Sequence, residues 1–375
     1  MPEELLNIDP ELLLRTTPLD ALHRRLGATM APFAGYDMPV RYPRGILAEH
    51  LHCRAHAALF DVSHMGQMSL SGDGAPAWLE RLTPGDFEGL APGRQRYTLL
   101  LNEAGGILDD LMVARYPGRF VVVANASRKD LDARHIAEDL PAGVHLELHP
   151  NRALLALQGP DAAAIMARLA PGTAALAFMS AAELAIAGIP VWITRSGYTG
   201  EDGFEISVGG GDAERLAVLL LEQPGVQPAG LGARDSLRLE AALPLYGPDI
   251  DELTTPVEAG LAWCIGRRRR QAGGFPGATV IADQLVHGAP RLRCGIRPDG
   301  ATPARPGTVV AAPDGTGAGT ITSGGYSPTL QAPIAMGYLR RDMAGEGQPI
   351  SLVVRAKPLP GRIVPLPFVP HRYAR

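Results

Sequence analysis

The sequence predicts a mixed α and β chain of three units, the last of them a small β barrel or sandwich. Three observations predict it. Apolar residues recur at helical spacing in some segments and alternate in others. The last hundred residues carry short alternating runs at 291–296, 308–311, 319–323 and 350–354 among dense glycine and proline. The length, 375 residues, exceeds the roughly 100–200 that one domain holds.

Composition narrows the class. With 46% hydrophobic and 20% charged residues the chain can bury a core, which excludes a wholly disordered or fibrous protein. Gly at 44 and Pro at 34 imply many tight turns. A net charge of −4 leaves no basic footprint for general nucleic-acid or anionic-membrane binding. Only Lys129 and Lys357 are lysines, which reads as a coding bias. Three scattered cysteines, Cys53, Cys264 and Cys294, fit a reducing compartment, so the cytoplasm is expected. The acidic stretch 1–10 shows no signal-peptide pattern. The most apolar stretch, 174–193, is interrupted by Ser180, Glu183 and Pro190, against a membrane span.

Taken in order, Thr17-Pro18-Leu19 opens a helix running to Leu26, 34–39 is rich in turn residues, and 46–59 has a helical pattern. Strands are expected at 68–71, 97–101, 111–116 and 120–124, with a helix at 75–82. From Asn151 a second unit begins, with a strand at 153–157 and a helix at 162–169. Strands 191–195 and 204–208 should form a hairpin across the polar, glycine-rich 196–203. Helices follow at 213–222 and 233–242, and the arginine run 267–270 before Gly273-Gly274-Phe275-Pro276-Gly277 reads as surface crossing into the last unit.

Several clusters carry chemistry. His52 and His56 stand at i and i+4, a spacing zinc ligands use, but no second ligand pair follows and Arg54 sits between them; a polar helix face is the better reading. Gly209-Gly210-Gly211 and Gly230-Leu231-Gly232 lack the lysine of a phosphate loop, and Gly230 shows no strand before it. Asp109 and Asp110 enter the start of a strand after a Gly-Gly turn. Whichever of them shares the apolar face of Leu111 and Val113 would be desolvated with a raised pKa, and an exposed acidic turn is equally compatible. Glu205 opens an apolar strand, where it could accept two parallel N–H bonds from a heterocycle, but a strand-end charge in water is the better local reading. Arg234 and Arg238 lie one turn apart near a helix start, suited either to an anionic ligand or to ion pairs with Asp235 and Glu240.

Those segments, together with Phe60-Asp61-Val62-Ser63-His64-Met65-Gly66, Gln158-Gly159-Pro160, Leu245-Tyr246-Gly247 and Ile321-Thr322-Ser323-Gly324-Gly325-Tyr326-Ser327-Pro328-Thr329-Leu330, resemble the glycine cleavage T-proteins, the aminomethyltransferases, nearly end to end. The resemblance implies an α+β, three-domain cloverleaf around a central folate channel, with a C-terminal β-barrel-like domain. It divides the chain into a folate-binding region at 1–270, built of two interleaved α+β domains (roughly 1–55 with 140–270, and 56–139), and a barrel at 280–375. It implies an enzyme that takes the aminomethyl carbon from the dihydrolipoyl arm of H-protein to tetrahydrofolate, releasing 5,10-methylene-tetrahydrofolate and ammonia, with no metal. The glycine decarboxylase and dihydrolipoyl dehydrogenase components would be functional neighbours. By the same resemblance Asp110 is the catalytic residue, Glu205 holds the pterin, Arg234 contacts folate, Tyr373 is a C-terminal substrate contact, and Met65, Tyr97, Asn125 and Tyr198 line the channel. The exposed arginines 267–270 would suit an acidic lipoyl carrier. The alternative on this scaffold is a tetrahydrofolate-dependent demethylase of a small methylated donor. An iron–sulfur assembly factor of related fold would need a Lys-Gly-Cys-Tyr-x-Gly-Gln-Glu segment, which the chain lacks.

Overall fold

In a computed structural model, residues 14–354 and 357–374 are described; the acidic stretch 1–10 lies outside them. Three sheets carry the architecture. Strands Ala57–Asp61, Arg152–Gln158, Ala181–Ile186, Ile189–Thr194, Gly203–Gly209 and Val226–Pro228 form a six-stranded sheet, antiparallel except for the parallel pairing of 226–228 with 57–61. Strands Gly66–Ser71, Gln95–Leu101, Ile107–Tyr116, Arg119–Ala124 and His145–Leu148 form an antiparallel sheet of five. The last six strands, from Arg291–Pro298 to Lys357–Val364, close into the expected barrel.

Each sheet covers one face with helices. Ala162–Leu169 and Gly210–Leu221 lay Ile165, Met166, Leu216 and Leu220 onto Leu155, Leu157 and Ile206 of the six-stranded sheet. Ala75–Leu82 lays Trp78 and Leu79 onto the five-stranded one, against Leu111, Val113 and Val122. The remaining faces meet along a seam, where Ala114, Tyr116 and Val121 touch Ala181 and Trp192, and Val123 joins Phe60, Leu154 and Ala156.

Sheet membership shifts the expected divisions. Strand 57–61 hydrogen-bonds to 152–158, and strand 145–148 to 66–71, so the crossings between the two sheets fall near 62–65 and 149–151 and not at 55/56 and 139/140. The expected helix 46–59 ends at Ala55, because 57–61 is buried at every position as a central strand. The turn-rich 34–39 becomes a two-stranded hairpin, Thr29–Phe33 with Tyr36–Arg41, closed by Ala34 and Gly35, both at positive φ as a two-residue turn of that twist requires. The arginine run is exposed at 267, 268 and 270. It forms helix Arg267–Ala272, in which Arg269 is buried, Arg268 is engaged with Glu80, Asp86 and Glu88, and Arg270 donates to the carbonyls of Ile265 and Ala262. Arg269 braces the helix against the carbonyls of Glu80 and Thr83.

Helix Leu231–Glu240 joins the sheets to the barrel. Its last residue, Glu240, is fully buried and accepts from Arg54 Nη2 at 2.9 Å, His50 Nε2 at 3.1 Å, Ser327 Oγ at 2.5 Å, and Thr329 N and Oγ1 at 3.0 and 2.7 Å. Arg54 in turn reaches Glu201 at 2.8 Å, which also pairs with Arg372 of the C-terminal tail at 2.8 Å. Two residues earlier, Arg238 binds Asp249 at 2.7 Å and Ser323 at 2.9 Å. Burial opposes the charge on Glu240, yet the hydrogen bonds from His50, Ser327 and Thr329 outweigh it and hold the carboxyl down at about 2.

Removing one partner of such a network leaves the others charged and unpaired. Glu240→Gln is therefore expected to destabilise the fold by about 3–5 kcal/mol, read as a fall in the urea midpoint at neutral pH. Because the folded-state pKa lies below the ordinary 4.5, the stability Glu240 contributes is full above that value and lost as pH falls toward about 2. Stability of the wild type and of Glu240→Gln should therefore converge across that window.

Candidate active site

The seam between the sheets opens at one end, and the residues around the opening stand out by partial exposure in otherwise buried strands. In strand 107–116 Asp110 and Met112 are half-buried and alternate with buried Asp109, Leu111 and Val113, while half-buried Leu108 packs on the Trp78 side at a break in register. Val123 breaks the burial of 119–124, and Glu205 that of 203–209. Alternation thus sends Asp109 into the apolar core and Asp110 into the opening, so the residue sharing the face of Leu111 and Val113 is Asp109. Both carboxyls are nevertheless desolvated.

The Gly-Gly turn fixes where that strand begins. A Cβ on Gly106 would fall 1.8 Å from the carbonyl oxygen of Glu252, so only glycine lets the 249–254 loop lie this close. Ile107 N then donates to Asp251 O at 3.0 Å and Asn102 Nδ2 to Glu252 O at 3.0 Å.

Asp110 accepts from Tyr97 Oη at 3.1 Å and from Asn125 Nδ2 at 2.6 Å. Asn125 also holds Asp109, through Nδ2 at 2.8 Å and its backbone N–H at 3.0 Å. Burial above all pushes the Asp110 carboxyl up to about 7, against the hydrogen bonds from Asn125 and Tyr97. Tyr97 stacks on Trp263 with ring centroids 5.3 Å apart, and Trp263 is 64% exposed at the rim. Tyr198 donates to the carbonyl of Pro244 and carries Arg234 over its ring at 4.8 Å.

Arg234 and Glu205 face each other electrostatically. Burial lowers the pKa of Arg234 and raises that of Glu205, and each charge partly offsets the other's shift. Neither is satisfied by the protein. The Arg234 side chain makes no hydrogen bond among the described residues, and its Nη1 is buried without a partner. Glu205 accepts one bond, from Ser196 Oγ at 3.2 Å, on a single oxygen. Two concave, charged and underused groups are what a polar ligand requires. His64, buried with an unpartnered Nδ1, is kept neutral with its pKa lowered to about 4 by burial and then by neighbouring Arg234 and Lys129, against the pull of Asp61.

The structure brings Asp110, Tyr97, Asn125, Tyr198, Arg234 and Glu205 together around this opening. Met65, half-buried, packs beside Val123 on the same side. Tyr373 lies near Arg54 and Glu201: its ring stacks on Phe178 at 4.2 Å and its hydroxyl, pushed up to about 12 by burial, has no hydrogen-bond partner among the described residues. Arg238 points the other way, into its ion pairs. Asp132, Trp263 and Ser196 were not anticipated; Asp132 lies on a helix, Lys129–Ala137, whose apolar pattern is too weak to announce it.

The other clusters are structural. His52 donates to Gly225 O at 2.8 Å, and His56 Nδ1 lies 3.1 Å from Asp161. A strand, 226–228, does precede Gly230, but a Cβ there would sit 2.3 Å from Val40 O, so glycine serves a close backbone approach.

Similarity to known proteins is extensive. The family model described as GCVT N-terminal domain matches residues 19–269, and that described as Glycine cleavage T-protein C-terminal barrel domain matches 291–370. The chain belongs to the glycine cleavage T-protein family. Among its relatives is the mitochondrial aminomethyltransferase of Gallus gallus, 48% identical over 369 residues that cover 96% of this chain and 94% of that one. That of Dictyostelium discoideum is 41% identical over the same shares. The crystal structure of glycine cleavage system aminomethyltransferase T from Bartonella henselae superposes with a TM-score of 0.92 at 42% identity, covering 96% of this chain and all of the other. As a T-protein the chain is an aminomethyltransferase, with the α+β cloverleaf and C-terminal barrel of its family. The named relatives are mitochondrial, so the cytoplasmic location expected from the cysteines is not carried over. Among the described residues no helix is long and apolar enough to cross a membrane.

An unpartnered buried guanidinium is costly to the free protein. Arg234→Met is expected to be at least as stable as wild type in thermal unfolding without ligand, since the cation–π contact with Tyr198 returns only about 0.5–1 kcal/mol. A drop of several degrees in Tm would show that Arg234 is scaffold.

Proposed function

We propose that this T-protein transfers the aminomethyl carbon from the dihydrolipoyl arm of H-protein to tetrahydrofolate, with Asp110 as the catalytic residue and Glu205 and Arg234 as the folate-binding pair. The observation that carries the reading is the pairing of two unsatisfied, buried charges with a carboxylate held between Tyr97 and Asn125. A reduced pterin offers an amino group beside a ring N–H, two parallel donors for the free oxygen edge of Glu205. Arg234, with no acceptor of its own, suits the ring carbonyl or the carboxylate tail.

The chemistry breaks the donor's C–S and C–N bonds and forms two C–N bonds to tetrahydrofolate. The two N–H protons that folate loses leave with ammonia and with the lipoyl thiol. The carbon in transit gains cationic character as ammonia departs, and an ionised carboxylate beside it stabilises that charge and orients the attacking amine. Tyr97 and Asn125 fix the orientation of Asp110 by donating to both of its oxygens. Tyr198 and Met65 supply the channel wall, and Tyr373 a contact from the C-terminal tail. No residue role assigned here calls for a metal. H-protein is the partner in this reading, and the decarboxylase and dihydrolipoyl dehydrogenase components act before and after it.

Two variants test the roles. Asp110→Asn should lower kcat by about 10²–10⁴-fold, with tetrahydrofolate binding within a few-fold of wild type. Glu205→Gln replaces two acceptors by one and should weaken tetrahydrofolate binding by roughly tenfold or more in equilibrium titration. Formation of methylene-tetrahydrofolate from aminomethylated H-protein is the activity readout. Turnover of small methylated amines in the absence of H-protein would replace this reading by a demethylase.

A further inference from the structure

Behind Asp110 lie two carboxyl groups to which the mechanism gives no task. Asp109 is wholly buried and Asp132 is 2% exposed. The two are within hydrogen-bonding reach of each other, and neither makes a salt bridge among the described residues. Asp109 takes its remaining hydrogen bonds from Asn125, while Oδ2 of Asp132 has no partner. Two carboxylates in contact, in an apolar interior and without a cation between them, do not both ionise.

We propose that Asp109 and Asp132 share one proton, carried on Asp109, and that Asp109 is thereby a positioning residue that leaves Asp110 as the ionised carboxylate of the site. The inference rests on the role given to Asp110 above. Asn125 makes the coupling geometric, because a single side-chain amide donates to Asp109 Oδ1 at 2.8 Å and to Asp110 Oδ1 at 2.6 Å. A charge on Asp109 would be separated from Asp110 by one amide only, and would drive Asp110 to take up a proton. With the proton held on Asp109, the remaining charge sits on Asp132, one group farther back.

The surrounding groups favour that arrangement. From helix 129–137 and its start, Asp132 and Arg128 face the pair, and Arg128 draws the negative charge toward Asp132. From the 244–256 loop come Tyr246, under Arg128 at 5.4 Å, and Glu252, which pairs with Arg128 at 3.3 Å. From the strand side come Asp110 and, beyond it, Tyr97. Burial first, and then Asp132, raises Asp109, whereas the rise that burial imposes on Asp132 is opposed by Asp109 and by Arg128, one helical turn away. A cation on the Asp132 side leaves the proton to Asp109.

The two single variants have different expected outcomes. Asp109→Asn mimics the protonated acid, and should keep the acid limb of the kcat/KM pH profile within a few tenths of a pH unit of wild type. Asp132→Asn removes the proton-sharing partner and supplies an amide donor, so Asp109 ionises beside Asp110. Its acid limb should move up by about one pH unit or more, with activity recovered at higher pH. A merely structural role would lower both rates without displacing either limb. The proposal is overturned if Asp109→Asn moves the limb downward, since Asp109 was then ionised, or if Asp132→Asn leaves it in place.

A direct measurement on the wild type keeps the test open should either variant fold poorly. Infrared difference spectra at neutral pH should show the carbonyl band of a protonated carboxylic acid, absent in Asp109→Asn. Lack of that difference overturns the proton assignment whatever the enzyme turns over. Failure of methylene-tetrahydrofolate synthesis with the band present would instead count against the function proposed for Asp110.

Discussion

The placement of helix 231–240 governs everything else in the molecule, and the buried charge of Glu240 governs the helix. Its carboxylate gathers donors from helix 46–55 and from the barrel segment 327–329, parts of the chain that share no sheet. Arg238, two residues back, binds Asp249 and Ser323 and adds a second tie to the barrel. With its C-terminal half locked in this way, the helix presents Arg234 at the opening of the seam. Rigid support behind a binding group is what lets an arginine remain unpaired: were the helix free to rotate, the guanidinium would find a carboxylate of its own.

Charges in this protein fall into two kinds, and the difference separates scaffold from site. Arg54, Arg238, Glu201 and Asp249 are buried and paired within the protein, so their desolvation is compensated. Arg234 and Glu205 are surrounded by protein and left short of partners, so their desolvation is compensated only when something else enters. On the function proposed above, tetrahydrofolate is the group that relieves this deficit.

The sequence showed the strand and helix order well where pattern and burial agree. Helices 75–82 and 162–169 lie where their apolar spacing put them, and the 189–194/203–209 hairpin is as expected. It was less legible where tertiary position overrides pattern: Ala57-Ala58-Leu59 continue a helical periodicity, yet pair as a central strand because 152–158 lies beside them. Sheet membership of 145–148 is likewise a long-range fact with no local mark. Among site residues, Asp110, Glu205 and Arg234 stood out only once their surrounding motifs were taken together. Local chemistry left Asp110 and Arg234 balanced between alternatives, favoured water for Glu205, and could not separate Arg234 from Arg238. Asp132 had no signal at all, since its importance comes from whom it touches across the fold.

The segment 369–374 returns to the middle of the chain. Val369 N donates to the carbonyl of Glu240, Arg372 bridges to Glu201, Ala374 O accepts from Phe178 N, and Tyr373 stacks on Phe178. The loop 196–203, which joins the two strands of the hairpin that carries Glu205, is therefore braced from a segment remote in sequence, with Arg372 N also donating to Gly200 O at 2.8 Å. Proteolysis just ahead of Val369 would loosen that loop together with the tail.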